Sequence, residues 1–313
     1  MTRVISCASV LLAVLTVLGP IPGHAAGVVP DYVAGAIADP ARPPAQVARD
    51  AQRQPAEVLA FAGVRPGDRV ADFMSGGAYF TRLFSRIVGN SGHVYAFLPE
   101  EQLKNCAPEE TAGTRAVEHD RSYANVSVMT GPVGRFRPPE PLDLIWTSLN
   151  FHDLYDSFMG PADVPQVTQA LFDALKPGGE LLVIDHVAQA GSEVRDTETL
   201  HRIDPEVIIR RAKAAGFRLE AHSDVLRNPH DTHQLRVFDA AVRGQTDQVI
   251  LKFRKPLAPT PARDLAGCSL QPPNAACTSS FDEPSSARPA ALSSAASPAC
   301  SWATMRGSMR MTA

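Results

Sequence analysis

The chain has 313 residues, of which 44% are hydrophobic and 20% are charged, and its formal net charge is -3. This composition is ordinary for a globular protein and excludes collagen-like, coiled-coil and wholly disordered chains. Because 30 Lys and Arg residues nearly balance 33 Asp and Glu residues, the net charge creates no strong electrostatic field. Nothing therefore indicates nucleic acid or an anionic membrane as a partner.

The N-terminus has the pattern of a secretory signal peptide, which we place at residues 1–25. Arg3 precedes an apolar run from Val4 to Leu18, and the small residues Gly23 and Ala25 stand three and one before a cut after Ala25. A membrane anchor is the rival interpretation, but the run is shorter than the roughly 20 residues that cross a bilayer. We therefore expect export, with a periplasmic location and no stable membrane anchor.

Three further regions follow the signal peptide. We predict a linker over residues 26–43, one folded domain over 44–256 and a tail over 257–313. The tail contains 13 Ala, 10 Ser and 7 Pro and has neither a helical nor a strand period. Because it has little apolar surface to offset the entropy of ordering, we expect it to be disordered.

The domain alternates helices with short apolar strands. In chain order, the pattern predicts a lead-in helix over 45–61, a strand over 68–73, a helix over 79–89, strands over 92–97, 126–129 and 142–148, a helix over 164–175, a strand over 180–185, a helix over 205–215 and two late strands over 217–225 and 248–253. Apolar strands separated by helices are typical of a parallel sheet covered on both faces. The last two strands, which no full helix separates, indicate an antiparallel pair. The sequence thus predicts a doubly wound, mostly parallel, Rossmann-like α/β domain.

Polar residues follow the predicted strands. Ligands of an open parallel sheet bind beyond the carboxyl ends of the strands. The residues at these positions are Asp72, Ser75, Gly76, Gly77 and Tyr79 after the first strand, Glu100 after the second, Asn150, His152 and Asp153 after the fourth, and Asp185 and His186 after the fifth. This concentration predicts a functional site at one edge of the sheet.

The turn after the first strand contains two adjacent glycines, Gly76 and Gly77. Glycines there let the backbone approach a ligand and direct free N–H groups at it. A full dinucleotide fingerprint has three spaced glycines, whereas Met74 and Ala78 occupy the outer positions here. On its own, the turn is also compatible with an ordinary strand-to-helix connection.

Seven segments of the domain resemble a known family. They are VADFMSGGAYFTRL, GHVYAF, LDLIWTSLNFHDLYD, LKPGGELLVIDH, DTETLHRIDP, HSDVLRNP and LKFRKP. Through them, the region from Pro44 to Pro256 resembles the Rossmann-like S-adenosylmethionine-dependent methyltransferases, and more narrowly the predicted bacterial methyltransferases that carry a signal peptide. The LKPGG turn is common in the broad class, whereas NFHDLY and LHRIDP are more restrictive.

The resemblance implies that S-adenosylmethionine is the methyl donor and that a small molecule is the acceptor. It also implies that the turn after the first strand holds the methionine part, with Asp72 near its amino group and the amides of Gly76 and Gly77 near its carboxylate. The resemblance extends the cofactor site to Ser75, Tyr79 and Asn150.

One feature of the class is missing at the end of the second strand. The acid that usually holds the ribose hydroxyls is replaced by Leu98, which accepts no hydrogen bond. We therefore expect Glu100, or its neighbour Glu101, to hold the ribose from the following turn.

Methyl transfer is an in-line displacement, so the enzyme mainly aligns the reacting atoms. A base is needed only if the acceptor carries a proton at the reaction pH. His152 is our candidate base because its ordinary pKa is near 6.5, and Asp153 or Asp185 would orient it. His186 is a further candidate catalytic residue, and we expect it to line the acceptor pocket with His201 and Asp204.

Two other interpretations stay open at this point. The same His and Asp side chains offer nitrogen and oxygen donors to a divalent metal, which indicates a metal-dependent enzyme. Because no His-x-x-x-His pair is present, we expect no metal ligands. The missing ribose acid and the secretion signal instead favour an exported, non-catalytic binding protein, and the fold alone does not decide between these functions.

Overall fold

The computed structural model describes residues 28–160 and 162–257. The predicted signal peptide and all but the first residue of the predicted tail lie outside these ranges. The strands are β1 (Arg69–Phe73), β2 (His93–Pro99), β3 (Val126–Gly131), β4 (Leu142–Ser148), β5 (Leu175–His186), β6 (Arg218–Ser223) and β7 (Gln248–Arg254). They form one sheet in the order β3-β2-β1-β4-β5-β7-β6.

Ten α-helices accompany the sheet within the described residues. They are α1 (Asp31–Ile37), α2 (Pro44–Val47), α3 (Asp50–Arg53), α4 (Pro55–Ala62), α5 (Tyr79–Val88), α6 (Glu100–Asn105), α7 (Pro108–Glu118), α8 (Val164–Ala174), α9 (Thr197–Leu200) and α10 (Pro205–Ala214). None of these helices is both long enough and apolar enough to cross a lipid bilayer.

The predicted fold class is confirmed. Strands β1 to β5 run parallel, and β7 is antiparallel to both β5 and β6. Alternate residues of β5 enter opposite cores: Leu181 and Val183 pack with α8 and α10, whereas Leu182 and Ile184 pack with α4 and α5. The central strands are apolar because both faces of the sheet are covered.

The N-terminal part of the domain differs from the prediction. The single lead-in helix over 45–61 is wrong, since this segment forms α2, α3 and α4. Pro55 begins α4, and a proline disfavours the helical conformation in the residue before it. Gln54 accordingly has a left-handed φ of 41°. The structure also places helix α1 inside the predicted linker, with Val33 and Ala36 buried in the core beside α5.

The long segment between β6 and β7 contains neither helix nor strand. It is anchored by Arg202, whose side chain is fully buried and binds both carboxylate oxygens of Asp231 at 2.8 and 3.1 Å. This ion pair holds the segment against the carboxyl end of β5, where Arg202 also donates to the carbonyl of Val187 at 3.0 Å.

Candidate active site

The turn after β1 has an unusual backbone conformation. Met74, Gly76 and Ala78 all have left-handed φ values, of 60°, 51° and 59°. A residue with a side chain pays roughly 1–2 kcal/mol for this conformation. The turn therefore adopts a glycine-type path at positions 74 and 78, where the sequence has no glycine, and its neighbours must hold it there.

Three side chains from distant elements bind the carbonyl groups of this turn. The donors are Asn150 Nδ2 to Met74 (3.0 Å), Thr114 Oγ1 to Gly76 (2.8 Å) and Gln46 Nε2 to Gly77 (2.8 Å). Because the carbonyl groups are occupied, the turn is fixed from the side of α2, α7 and the end of β4.

Helix α7 packs directly on the turn. A Cβ atom added to Gly113 would lie 2.1 Å from the carbonyl oxygen of Gly77, which no real contact allows. By contrast, a Cβ atom added to Gly77 would meet no heavy atom within 4 Å. Gly113 thus permits the close packing of the helix, whereas Gly77 faces open space.

This open space is a cavity of about 590 Å³ at the carboxyl ends of β1 and β4, a volume typical of small-molecule sites. Seven of the residues predicted from the sequence line it: Asp72, Ser75, Gly76, Gly77, Tyr79, Asn150 and Asp153. Further polar residues, not predicted from the sequence, line the cavity from the N-terminal segment and from α6 and α7: Gln46, Arg49, Arg53, Gln102, Glu109 and Glu110.

Asp72 lies in the buried part of β1, next to its last residue Phe73, and is only 4% exposed. Thr81 Oγ1, in the first turn of α5, donates to its Oδ2 atom at 2.5 Å. Burial raises the pKa of Asp72 to about 6, although the hydrogen bonds from Thr81 act in the opposite direction. A cationic ligand group in the cavity would stabilise this carboxylate.

Tyr79, the first residue of α5, connects the cavity wall to the N-terminal helices. Its hydroxyl donates to Asp50 Oδ1 at 2.6 Å, and Asp50 pairs with Arg42 at 2.6 Å. The guanidinium of Arg53 lies 4.8 Å from the centre of the Tyr79 ring. Burial lowers the pKa of Arg53 to about 9, so it remains a cation at neutral pH, and its buried Nε has no hydrogen-bond partner among the described residues.

The structure brings three of the four predicted catalytic residues into one buried group. His152 Nδ1 lies 2.7 Å from Asp185 Oδ1, and the His152 amide donates to Asp185 Oδ2 at 2.8 Å. His152 Nε2 lies 3.1 Å from Asp153 Oδ1. Burial lowers the pKa of His152, but Asp185 and Asp153 outweigh it and hold the pKa well above 6.5.

The fourth residue, His186, lies apart from this group. Its ring centre is 6.2 Å from that of His152, and its Nδ1 atom is 2.8 Å from Thr246 Oγ1. Burial and the neighbouring His152 lower the pKa of His186 well below its ordinary value. Of the four predicted catalytic residues, only Asp153 lines the cavity.

The two residues expected in an acceptor pocket with His186 have other surroundings. His201 is buried beside the His152 group, with its Nδ1 atom 3.3 Å from His152 Nε2, and it does not line the cavity. Asp204 caps helix α10, because its Oδ1 atom accepts a hydrogen bond from the Glu206 amide at 3.0 Å. We expected His201 and Asp204 to line an acceptor pocket, but neither of them lines this cavity.

Glu100 also departs from its predicted place. It is the first residue of α6, is exposed and does not line the cavity, since the helix turns this position outward. Gln102, two residues further along, does line the cavity, and its buried Oε1 atom has no hydrogen-bond partner within the part of the chain that the structure describes. Gln102 could not be predicted from the sequence, because a neutral amide in a helix is not a typical ribose ligand.

Sequence comparisons give methyltransferases as relatives, although no family model matches the chain. The ubiquinone/menaquinone biosynthesis C-methyltransferase UbiE of Vibrio parahaemolyticus is 26% identical over 182 residues, which are 57% of this chain and 66% of the relative. UbiE of Teredinibacter turnerae is 30% identical over 128 residues, 41% of this chain and 46% of the relative. The chain thus spans about half to two thirds of the length of these curated relatives.

A solved S-adenosylmethionine-dependent methyltransferase from Aquifex aeolicus is 17% identical and matches 68% of this chain and 94% of its own, with a TM-score of 0.46. The strand order and the antiparallel β7 are observed directly in the structure of the present chain. Together with the sequence relatives, they confirm that the chain resembles the Rossmann-like S-adenosylmethionine-dependent methyltransferases in fold and sequence.

Proposed function

We propose that this chain transfers a methyl group from S-adenosylmethionine to a small-molecule acceptor. The observation that carries the proposal is the cavity at the end of β1, where a left-handed turn, the buried Asp72 and the cationic Arg53 face the same space. Its position beyond the carboxyl ends of parallel strands is where doubly wound sheets bind ligands. The methyltransferase relatives support the same chemistry.

The charges around the cavity match those of the methyl donor. Asp72 takes the ammonium group of the methionine part, which supplies a second cation, besides Arg53, to this buried carboxylate. Arg53 and Arg49, which also line the cavity, take the carboxylate. Gln102 accepts a hydrogen bond from the ribose in place of the missing acid, because its buried Oε1 atom is free to do so.

The reaction requires alignment more than proton transfer. The acceptor atom forms a bond to the methyl carbon while the carbon–sulfur bond breaks, and the sulfonium sulfur keeps the electron pair of that bond. Asp153 lines the cavity and so is the predicted catalytic residue that can contact the acceptor. His152, 3.1 Å from Asp153, acts on it as a positioning residue.

Thermal unfolding of the full chain with and without S-adenosylmethionine tests the proposal. A ligand that binds the native state raises the melting temperature, and we expect the demethylated product to do the same. Gly77→Val is the control: a Cβ atom at this position meets no protein atom within 4 Å, and we expect the valine side chain to fill the cavity and block the ligand. If neither ligand raises the melting temperature of the wild-type chain, the proposal is refuted.

One observation favours a second candidate, a non-catalytic protein that binds a nucleoside ligand. Leu98, the last residue but one of β2, stands where the ribose acid is expected, and it is 1% exposed and apolar. Incubation with the methyl donor and a panel of small acceptors separates the two functions. If the wild-type protein catalyses methyl transfer and the Gly77→Val variant does not, the enzyme is supported. If the protein binds the donor but transfers its methyl group to no acceptor, the binding protein is supported.

We also propose that the chain is exported to the periplasm. The basic Arg3, the apolar run from Val4 to Leu18 and the small residues before position 26 support this proposal. Sequencing the N-terminus of the protein from fractionated cells tests it. Periplasmic protein that starts at Ala26 is expected, and cytoplasmic protein that retains residues 1–25 would contradict export.

A further inference from the structure

Behind the cavity wall, four buried side chains converge on one point. They are His152, Asp153, Asp156 and His201, and one ligand atom from each lies within 4.8 Å of every other. The first three are contributed by the turn after β4, and His201 comes from the segment after α9. All four are at most 5% exposed, so the cluster is shielded from bulk water.

Asp156 shows that the cluster is incomplete. Both of its carboxylate oxygens are buried and have no hydrogen-bond partner within the described residues, and its side chain is 1% exposed. Its nearest cationic group is His201, at 3.9 Å. A buried carboxylate without a hydrogen-bond partner is strongly unfavourable, so native structures pair such groups or bind a metal with them. Asp153 and Asp185 add two further buried carboxylates around the single imidazole of His152.

The distances in the cluster match a tetrahedral ion. Zinc bonds of roughly 2.0–2.1 Å place neighbouring donor atoms roughly 3.3 Å apart. His152 Nε2 is 3.1 Å from Asp153 Oδ1 and 3.3 Å from His201 Nδ1. His201 Nδ1 is 3.9 Å from both Asp153 Oδ1 and Asp156 Oδ2, so small side-chain shifts complete the tetrahedron.

Asp185 prepares His152 for this role. It lies 2.7 Å from Nδ1, the ring nitrogen that faces away from the cluster. A carboxylate that accepts the Nδ1 proton leaves the Nε2 lone pair for a metal, as in the carboxylate–histidine–zinc arrangement. The donor set of two imidazoles and two carboxylates suits zinc and related first-row ions.

We propose that His152, Asp153, Asp156 and His201 form a structural site for a divalent transition metal, with zinc as the ion that its geometry fits best. Four protein ligands leave no open position, which is the pattern of a structural site. The ion ties the turn after β4 to the segment after α9 and fixes Asp153 in the cavity wall. The site goes beyond the proposed methyl transfer and does not depend on it.

Arg236 gives the site a specific signature. Its Nη2 atom lies 3.1 Å from His201 Nε2. Ligation through Nδ1 puts the ring proton on Nε2, so the guanidinium has to withdraw from this nitrogen. Gln at position 236 offers an oxygen that accepts the same proton, and an acceptor of this kind strengthens a metal-bound imidazole. We therefore expect Arg236→Gln to bind zinc more tightly than the wild-type chain does.

The experiment is equilibrium dialysis of the full chain, freed of metal with a chelator, against zinc alone, followed by metal quantification. We expect one zinc per chain, and a loss of affinity of at least about tenfold in Asp156→Asn and in His201→Ala. His186→Gln is the control, because His186 is also buried but is bound to Thr246 outside the cluster. It should retain the wild-type stoichiometry.

A second measurement guards against variants that do not fold. Cobalt replaces zinc in the wild-type chain, and its visible absorption reports four-coordinate geometry without any substitution. Zinc well below one per chain, or equal affinity in wild type and Asp156→Asn, overturns the proposal. Binding of S-adenosylmethionine is measured separately on the same protein. If the protein binds zinc but not S-adenosylmethionine, the methyltransferase proposal is refuted and the metal site stands. If it binds S-adenosylmethionine but not zinc, the metal site is refuted and the methyltransferase proposal stands.

Discussion

Replacing Asp72 with Asn should stabilise the unliganded protein and abolish binding of the methyl donor. The buried carboxylate has a pKa of about 6, against 3.8 for an ordinary Asp. Asn keeps an oxygen that accepts the Thr81 hydrogen bond but carries no charge. The substitution therefore removes the cost of burying the charge together with the partner of the ligand ammonium group.

The sign and size of the stability effect follow from the raised pKa. Between pH 3.8 and about 6 the folded state binds more protons at Asp72 than the unfolded state does, so wild-type stability falls as the pH rises through this window. Above about pH 6 the wild-type protein has lost the full contribution of Asp72, about 3 kcal/mol of the free energy of unfolding. The Asp72→Asn variant does not titrate, so its advantage should grow from small at pH 4 to about 3 kcal/mol at pH 8.

Urea unfolding of both proteins at pH 5 and pH 8 measures this difference as a change in the free energy of unfolding. Calorimetry at pH 8 measures the binding of S-adenosylmethionine. An Asp72→Asn variant that is no more stable than wild type at pH 8, or whose advantage is the same at both pH values, would refute the assigned burial cost. Unchanged binding would show that Asp72 does not hold the donor.

Other predictions concern the same turn. Gly113→Ala should destabilise the protein by about 1–3 kcal/mol through overpacking against Gly77. The matched helical change Gly35→Ala, whose added Cβ atom meets no atom within 4 Å, should stabilise it by about 0.5–1 kcal/mol. Urea unfolding compares the two variants, and equal effects on the free energy of unfolding would contradict the tight packing at Gly113. Gly76→Ala, at a left-handed φ, should cost about 1 kcal/mol, and Gly77→Ala should cost less than about 0.5 kcal/mol. Donor affinity should fall about tenfold per pH unit below pH 6 as Asp72 is protonated, and a flat calorimetric profile from pH 5 to 8 would exclude this.

The parallel core of the fold could be predicted because its strands are buried on both faces. Such strands are nearly continuous apolar runs, and the predicted strand over 142–148 has the same bounds as β4. The residues around the turn after β1 were found for a related reason: they follow directly from the end of a strand. The single lead-in helix was wrong because the left-handed Gln54 separates α3 from α4 and the helix is also interrupted between α2 and α3.

The walls of the cavity that come from distant helices could not be predicted in this way. Arg53 and Gln102 reach the cavity only through tertiary packing, and neither residue type stands out in a helix. The same holds for the buried cluster, where His201 meets His152 across 49 residues of sequence. The left-handed φ of Met74 opposes local preference, so only the surrounding contacts reveal it.

The central claim is that the cavity at the end of β1 binds S-adenosylmethionine, and isothermal titration of the full chain with this ligand tests it most directly. The account predicts saturable binding of one molecule per chain, with loss of binding in Gly77→Val while the melting temperature of the unliganded variant stays near that of wild type. Absence of saturable heat from the wild-type chain, or equal binding by the Gly77→Val variant, would contradict the account.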